Sequence, residues 1–88
     1  MKISYKANKN LILQKIDSSL VGFDTDRSFL YTFNETAEFI FKKLKLGWEE
    51  EKIITALTKK YEIEILVVKI DIKTVIKDML KNKIISKV

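Results

Sequence analysis

The side chains most often used for covalent chemistry are missing from this 88-residue chain, which has no cysteine and no histidine. Thiolate nucleophiles, imidazole bases and the common ligands of zinc and haem are therefore absent together. What remains are carboxylates and lysines. Glu49, Glu50 and Glu51 carry oxygen enough for a hard metal, but consecutive helical residues point about 100° apart and do not converge on one ion. No metal site and no cofactor are expected. Asp71 could bind a ligand as a lone carboxylate, but it is better suited to capping or to pairing with a nearby lysine or backbone N–H. Lys69, Lys73 and Lys77 recur every four residues and form a basic stripe beside Ile76 and Leu80. With no nucleophile, no general base and no convergent carboxylates, an enzyme is not expected. The chemistry left to this sequence is recognition.

Its formal net charge of +5 and pI near 9.4 would attract polyanions, acidic peptides or an anionic membrane alike. The lysines are spread along the whole chain, the pattern of a solvated surface. Residues 1–10 are polar and lysine-rich without the apolar core of a signal peptide, and no apolar run nears the length that spans a bilayer. A cytoplasmic location without membrane association is expected.

The elements that must position these groups follow from periodicity. With 88 residues and 47% hydrophobic content, one domain over residues 11–88 is expected, preceded by a flexible arm over 1–10 in which Ile3 and Tyr5 pack only if the arm docks. Leu11 to Ile16 has strand length, and Asp17-Ser18-Ser19 favours a turn. Leu20 to Phe23 makes a second strand. Asp24 to Arg27 turns again, and Ser28 to Phe33 makes a third strand, with Phe29, Tyr31 and Phe33 on one face and Leu30 and Thr32 on the other. Short connections make this an antiparallel meander.

Asn34 then starts a helix, because its side-chain oxygen can accept a backbone N–H of the first turn, and Phe33 and Glu38 fit the same start signal. Ala37, Ile40, Phe41 and Leu44 carry this helix to Leu46, and Gly47 stops it. Trp48 covers the junction to a second helix, built on Ile53, Ile54, Leu57 and Tyr61. The stretch after Glu62 is rich in β-branched residues, yet Val68, Ile72, Val75 and Met79 keep a helical period and predict a third helix from about Ile65 through Asn82. Ile84 and Ile85 are expected to tuck back on the core as a short extended tail. The fold class is α+β, a three-stranded antiparallel meander followed by three helices in a winged helix-turn-helix-like arrangement.

Over roughly Leu11 to Ile85 these residues resemble the PqqD-like family, also called RiPP recognition elements. Phe33-Asn34-Glu35-Thr36-Ala37 matches that family's Leu-Asn-Glu-Thr-Ala signature with Phe for Leu. Phe41 stands where the family usually has Trp, and Glu50-Glu51-Lys52-Ile53 through Tyr61 matches its second helix. Asp71 follows Tyr61 at the family's spacing, Val75, Met79, Ile84 and Ile85 fall on its apolar positions, and Lys83 replaces its usual Gly.

The resemblance implies a non-catalytic peptide chaperone of RiPP biosynthesis. It would bind the leader of a ribosomally made precursor peptide as a fourth strand against the third strand, and present the core for post-translational modification. The partner would be a separate maturation enzyme, such as a radical S-adenosylmethionine enzyme, a protease or a cyclase. Ser28, Phe29, Leu30, Tyr31 and Thr32 would meet the peptide from the strand, and Lys69, Lys73, Ile76, Lys77 and Leu80 from the third helix, where the basic stripe suits an acidic amphipathic leader. Which face of the third strand turns inward stays open, and so does the state of the protein, a monomer or a weak homodimer.

The main alternative is a winged-helix DNA-binding protein, which the basic pI allows. Three glutamates at the start of the second helix oppose it, as does a third helix without arginine. No nucleic-acid partner is expected. A purely dimerising module is the remaining possibility.

Overall fold

Hairpin chemistry shapes the first half of the chain. The computed structural model describes residues 4–88, so any packing of Ile3 lies outside the described residues. The element order is β1 (Tyr5–Ala7), β2 (Leu11–Ile16), β3 (Ser19–Asp24), β4 (Phe29–Phe33), α1 (Glu35–Lys45), α2 (Glu50–Tyr61), α3 (Ile65–Lys81) and β5 (Ile85–Lys87). Asp17 and Ser18 take φ of 49° and 70°, the signature of a two-residue type I′ turn, and they set Ile16 opposite Ser19. A second turn leads from β3 into β4, giving the antiparallel order β2-β3-β4. Ser28 belongs to that turn and not to the strand expected over Ser28 to Phe33, because its φ of 51° breaks the extended backbone.

Pairing decides the faces. Leu20 lies opposite Phe33, Gly22 opposite Tyr31 and Asp24 opposite Phe29, so Phe29, Tyr31 and Phe33 turn inward. A Cβ at Gly22 would come within 3.3 Å of both Leu13 and Phe33, so the glycine makes room for the Phe33 ring. The outer face carries Ile12, Gln14, Ile16, Ser19, Val21, Phe23, Leu30 and Thr32, and none of them is charged.

Asn34 starts α1 as expected, accepting the Ala37 N–H at 2.8 Å. Gly47, at φ 86°, ends the helix in a Schellman pattern: its N–H bonds Leu44 O at 3.0 Å and that of Trp48 bonds Lys43 O at 3.0 Å. The apolar stripes of the helices close over the sheet. Phe33, Ile40, Phe41, Leu44, Ile53, Ile54, Leu57, Val68, Ile72, Ile76 and Met79 form one core with Ile84 and Ile85. Burial of the four α3 residues overrides the β propensity of that segment, and α3 forms where the period predicts.

The expected arm over residues 1–10 is tied down from Tyr5 onward. β1 pairs antiparallel with β5, Tyr5 opposite Lys87 and Ala7 opposite Ile85. Docking satisfies the backbone of the buried Ile85 and half-buries Tyr5 and Ala7 against the core. The tail expected at Ile84 and Ile85 is thus half of a small second sheet. Lys83 precedes it at φ 57°, with its N–H on Leu80 O at 3.2 Å and the Ile84 N–H on Met79 O at 2.8 Å. A lysine therefore occupies the left-handed position of a helix C-cap, where glycine is the unstrained choice.

Candidate functional site

The meander leaves one strand edge beside a helix. In a two-residue type I′ hairpin the residues flanking the turn form a hydrogen-bonded pair, here Ile16 and Ser19. Alternation along β3 then directs Val21 and Phe23 toward β2 and Leu20, Gly22 and Asp24 toward β4. The Thr25 N–H bond to Asn10 O at 3.3 Å continues the same alternation. Phe29, Tyr31 and Phe33 use their peptide groups inside the sheet, so those of Leu30 and Thr32 face the free edge of β4. An extended peptide can pair with this row of donors and acceptors.

α3 meets β4 through one flank. The Tyr31 hydroxyl donates to Asp78 Oδ2 at 2.7 Å. Burial pushes the Tyr31 hydroxyl's pKa well above the ordinary phenol range, and the Asp78 carboxylate adds to the effect. The phenol stays protonated and keeps donating. The helical period puts Asp71, Thr74 and Val75 on the same flank as Asp78. Farther along lies a cavity of about 120 Å³ lined by Thr36, Leu57, Tyr61, Ile63, Val68 and Asp71. Asp71 is exposed at this cavity and makes neither of the contacts expected of it, a helix cap or a lysine pair, among the described residues.

The lysine stripe lies elsewhere. Lys73 Nζ reaches Glu50 Oε2 of α2 at 3.4 Å, and it stands about 140° around the helix from Asp78. Lys69 and Lys77 stand four residues before and after Lys73, so the stripe lies off the flank that carries Asp78. Ile76 is buried in the core at 4% exposure. Leu80 lines a different concavity, with Lys6, Arg27 and Lys83. Of the residues predicted for peptide contact, the structure gathers Phe29, Leu30, Tyr31 and Thr32 and places Ser28 in the preceding turn. Sequence reasoning missed Asp78, although its position seven residues after Asp71 marks it as a second carboxylate on the same helical flank.

A buried carboxylate braces the turn before β4. Asp24, 2% exposed, accepts from Arg27 Nε at 3.0 Å, Asn8 Nδ2 at 3.0 Å and the Asp26 N–H at 3.0 Å. Burial alone would raise its pKa, but the Arg27 guanidinium and the backbone donors of Arg27 and Asp26 outweigh that and hold it below the usual carboxylate range. Arg27 also donates to Asn82 O, and Asn8 Nδ2 to Lys83 O at 3.0 Å. This network links the turn to the end of α3 and so fixes where β4 begins.

Among the described residues no group of histidine, cysteine, aspartate or glutamate could hold a metal ion, and no helix is long and apolar enough to cross a membrane. The profile of the family described as PqqD, coenzyme PQQ synthesis protein D, matches residues 20–85. No protein with a curated description matches the chain. Among solved structures, a lasso peptide synthetase B1 complexed with the leader peptide superposes with a TM-score of 0.88 at 20% identity, covering 94% of this chain and 98% of that one. TbiB1 in complex with the TbiA(beta) leader peptide gives a TM-score of 0.83 at 16% identity, covering 92% and 94%.

Proposed function

The chain belongs to the family of coenzyme PQQ synthesis protein D, and from that membership we propose that it is a non-catalytic adaptor for a ribosomally made precursor peptide. The leader adds as a strand along the free edge of β4, pairing with the peptide groups of Leu30 and Thr32. The core is thereby presented to a separate maturation enzyme in the cytoplasm. The observation that carries this reading is the uncovered edge of β4 beside α3. Two proteins of the same fold are described in complex with leader peptides, which supports the same use of the fold here.

The gain is one of effective concentration: holding the leader makes the encounter of core and active site intramolecular. The α3 wall beside β4 carries Asp71 and Asp78, and Lys69, Lys73 and Lys77 lie off it. The acidic amphipathic leader that suited the lysine stripe therefore gives way to a leader without acidic residues where it passes that wall. The protein works as a monomer or weak homodimer, since strand addition by the leader fills the edge that would otherwise pair with a second copy.

Titrating the leader peptide encoded beside this gene, by calorimetry or fluorescence anisotropy, tests the reading. Saturable one-to-one binding is expected. No binding to any neighbouring precursor, together with a shift of duplex DNA that weakens steeply with salt, would replace it with the DNA-binding alternative.

A further inference from the structure

We infer that the outer face of the meander is a docking surface for the maturation enzyme, an inference that rests on the leader-binding reading. Ile12 lies opposite Phe23 and Phe23 opposite Leu30, so the three side chains form a row across all three strands. They are 58%, 39% and 60% exposed, and Ile16, on the same face of β2 beyond Gln14, is 51% exposed. A third of the residues in this chain are charged, yet this face has no charge. Continuous exposed apolar surface depleted of charge is the mark of a surface covered by a partner.

Position and charge select the occupant. The row ends at Leu30 on β4, the strand that receives the leader, so the outward side chains of the bound leader prolong the row by one strand. A partner seated there touches adaptor and leader together and recognises the loaded form. Three strands of about five residues give a footprint of roughly 240 Å², far below the roughly 800 Å² that each side of a stable complex buries. A second copy would bring its own charge of +5, which opposes approach. A maturation enzyme with an apolar patch set in acidic surroundings gains from both the face and the field around it.

The test uses the full chain, the labelled leader peptide encoded beside this gene and the maturation enzyme encoded there. Ile12→Glu places a carboxylate at the end of the row farthest from the leader, on a side chain already largely in water. Leader affinity should stay within about twofold while enzyme binding weakens at least tenfold, because the enzyme's apolar patch would have to bury the new carboxylate. Phe23→Ser should do the same, and wild-type affinity for the enzyme should rise when leader is present. Unchanged enzyme binding by both variants overturns the inference, as does a wild-type dimer that either variant dissociates without affecting the enzyme. Failure of the leader-binding reading would look different, since the wild-type protein would then not bind leader at all.

Discussion

Replacing Thr32 by proline separates the free edge of β4 from its paired side. The Thr32 N–H faces away from β3, so proline removes no bond of the β3–β4 ladder, and on an edge strand its fixed φ is tolerated. Tyr31 before it is already extended, as a residue preceding proline prefers. The bound leader would lose one backbone hydrogen bond, worth roughly 0.5–1.5 kcal/mol, and one of its carbonyls would be left unpaired at about 1–3 kcal/mol. A combined loss of about 1.5–4.5 kcal/mol corresponds to affinity weaker by at least ~10-fold. Fluorescence anisotropy against the leader measures it, with circular dichroism melts confirming the fold. Leu30→Pro, at the other outward-facing position, should behave alike. A folded Thr32→Pro protein that binds leader within about twofold of wild type would show that the peptide does not add to this edge.

The C-cap of α3 makes a stability prediction: Lys83→Gly should stabilise the fold by about 0.5–1 kcal/mol, because glycine relieves the left-handed strain at φ 57° while adding some unfolded-state entropy. A denaturant midpoint that falls would contradict it. Asn34→Ala should weaken folding by about 1 kcal/mol through the lost cap and affect leader binding only through the fold. Urea melts run beside leader titrations give both readouts. Acid should destabilise the protein. Asp24 is held below its ordinary range by Arg27 and backbone donors against the effect of burial, and Glu38 by hydrogen bonds from Lys15 and Lys42. Carboxylates with depressed folded pKa contribute fully above their unfolded values near about 4, and lose that contribution as pH falls through the folded values. Thermal midpoints should stay level from about pH 8 to 6 and drop below about pH 4, the drop smaller in Asp24→Asn.

Local signals made most of the fold legible. The turn at Asp17 and Ser18, the Asn34 cap, Gly47 and the period of Val68, Ile72 and Met79 each act within a few residues, and each element they predict is present. The β1–β5 pair has no such signal. Two three-residue strands from opposite ends of the chain find each other only once the core exists, and neither Tyr5–Ala7 nor Ile85–Lys87 shows enough alternation to announce a strand. The site divides along the same line. Periodicity identified a stripe of lysines on α3, but a period says which residues share a flank and nothing of what that flank faces. In three dimensions Tyr31 bonds Asp78 and Lys73 reaches Glu50, which puts Asp78 beside β4 and Lys73 beside α2.

The β1–β5 pair also brings the two ends of the described chain together, with the Val88 N–H donating to Ser4 O at 3.0 Å. A domain whose entry and exit lie side by side can be spliced into a surface loop of another protein, or joined to one through either end, without being stretched. That junction lies across the molecule's second sheet and leaves the edge of β4 uncovered. Both ends of the described chain are therefore available on one side as points of genetic fusion.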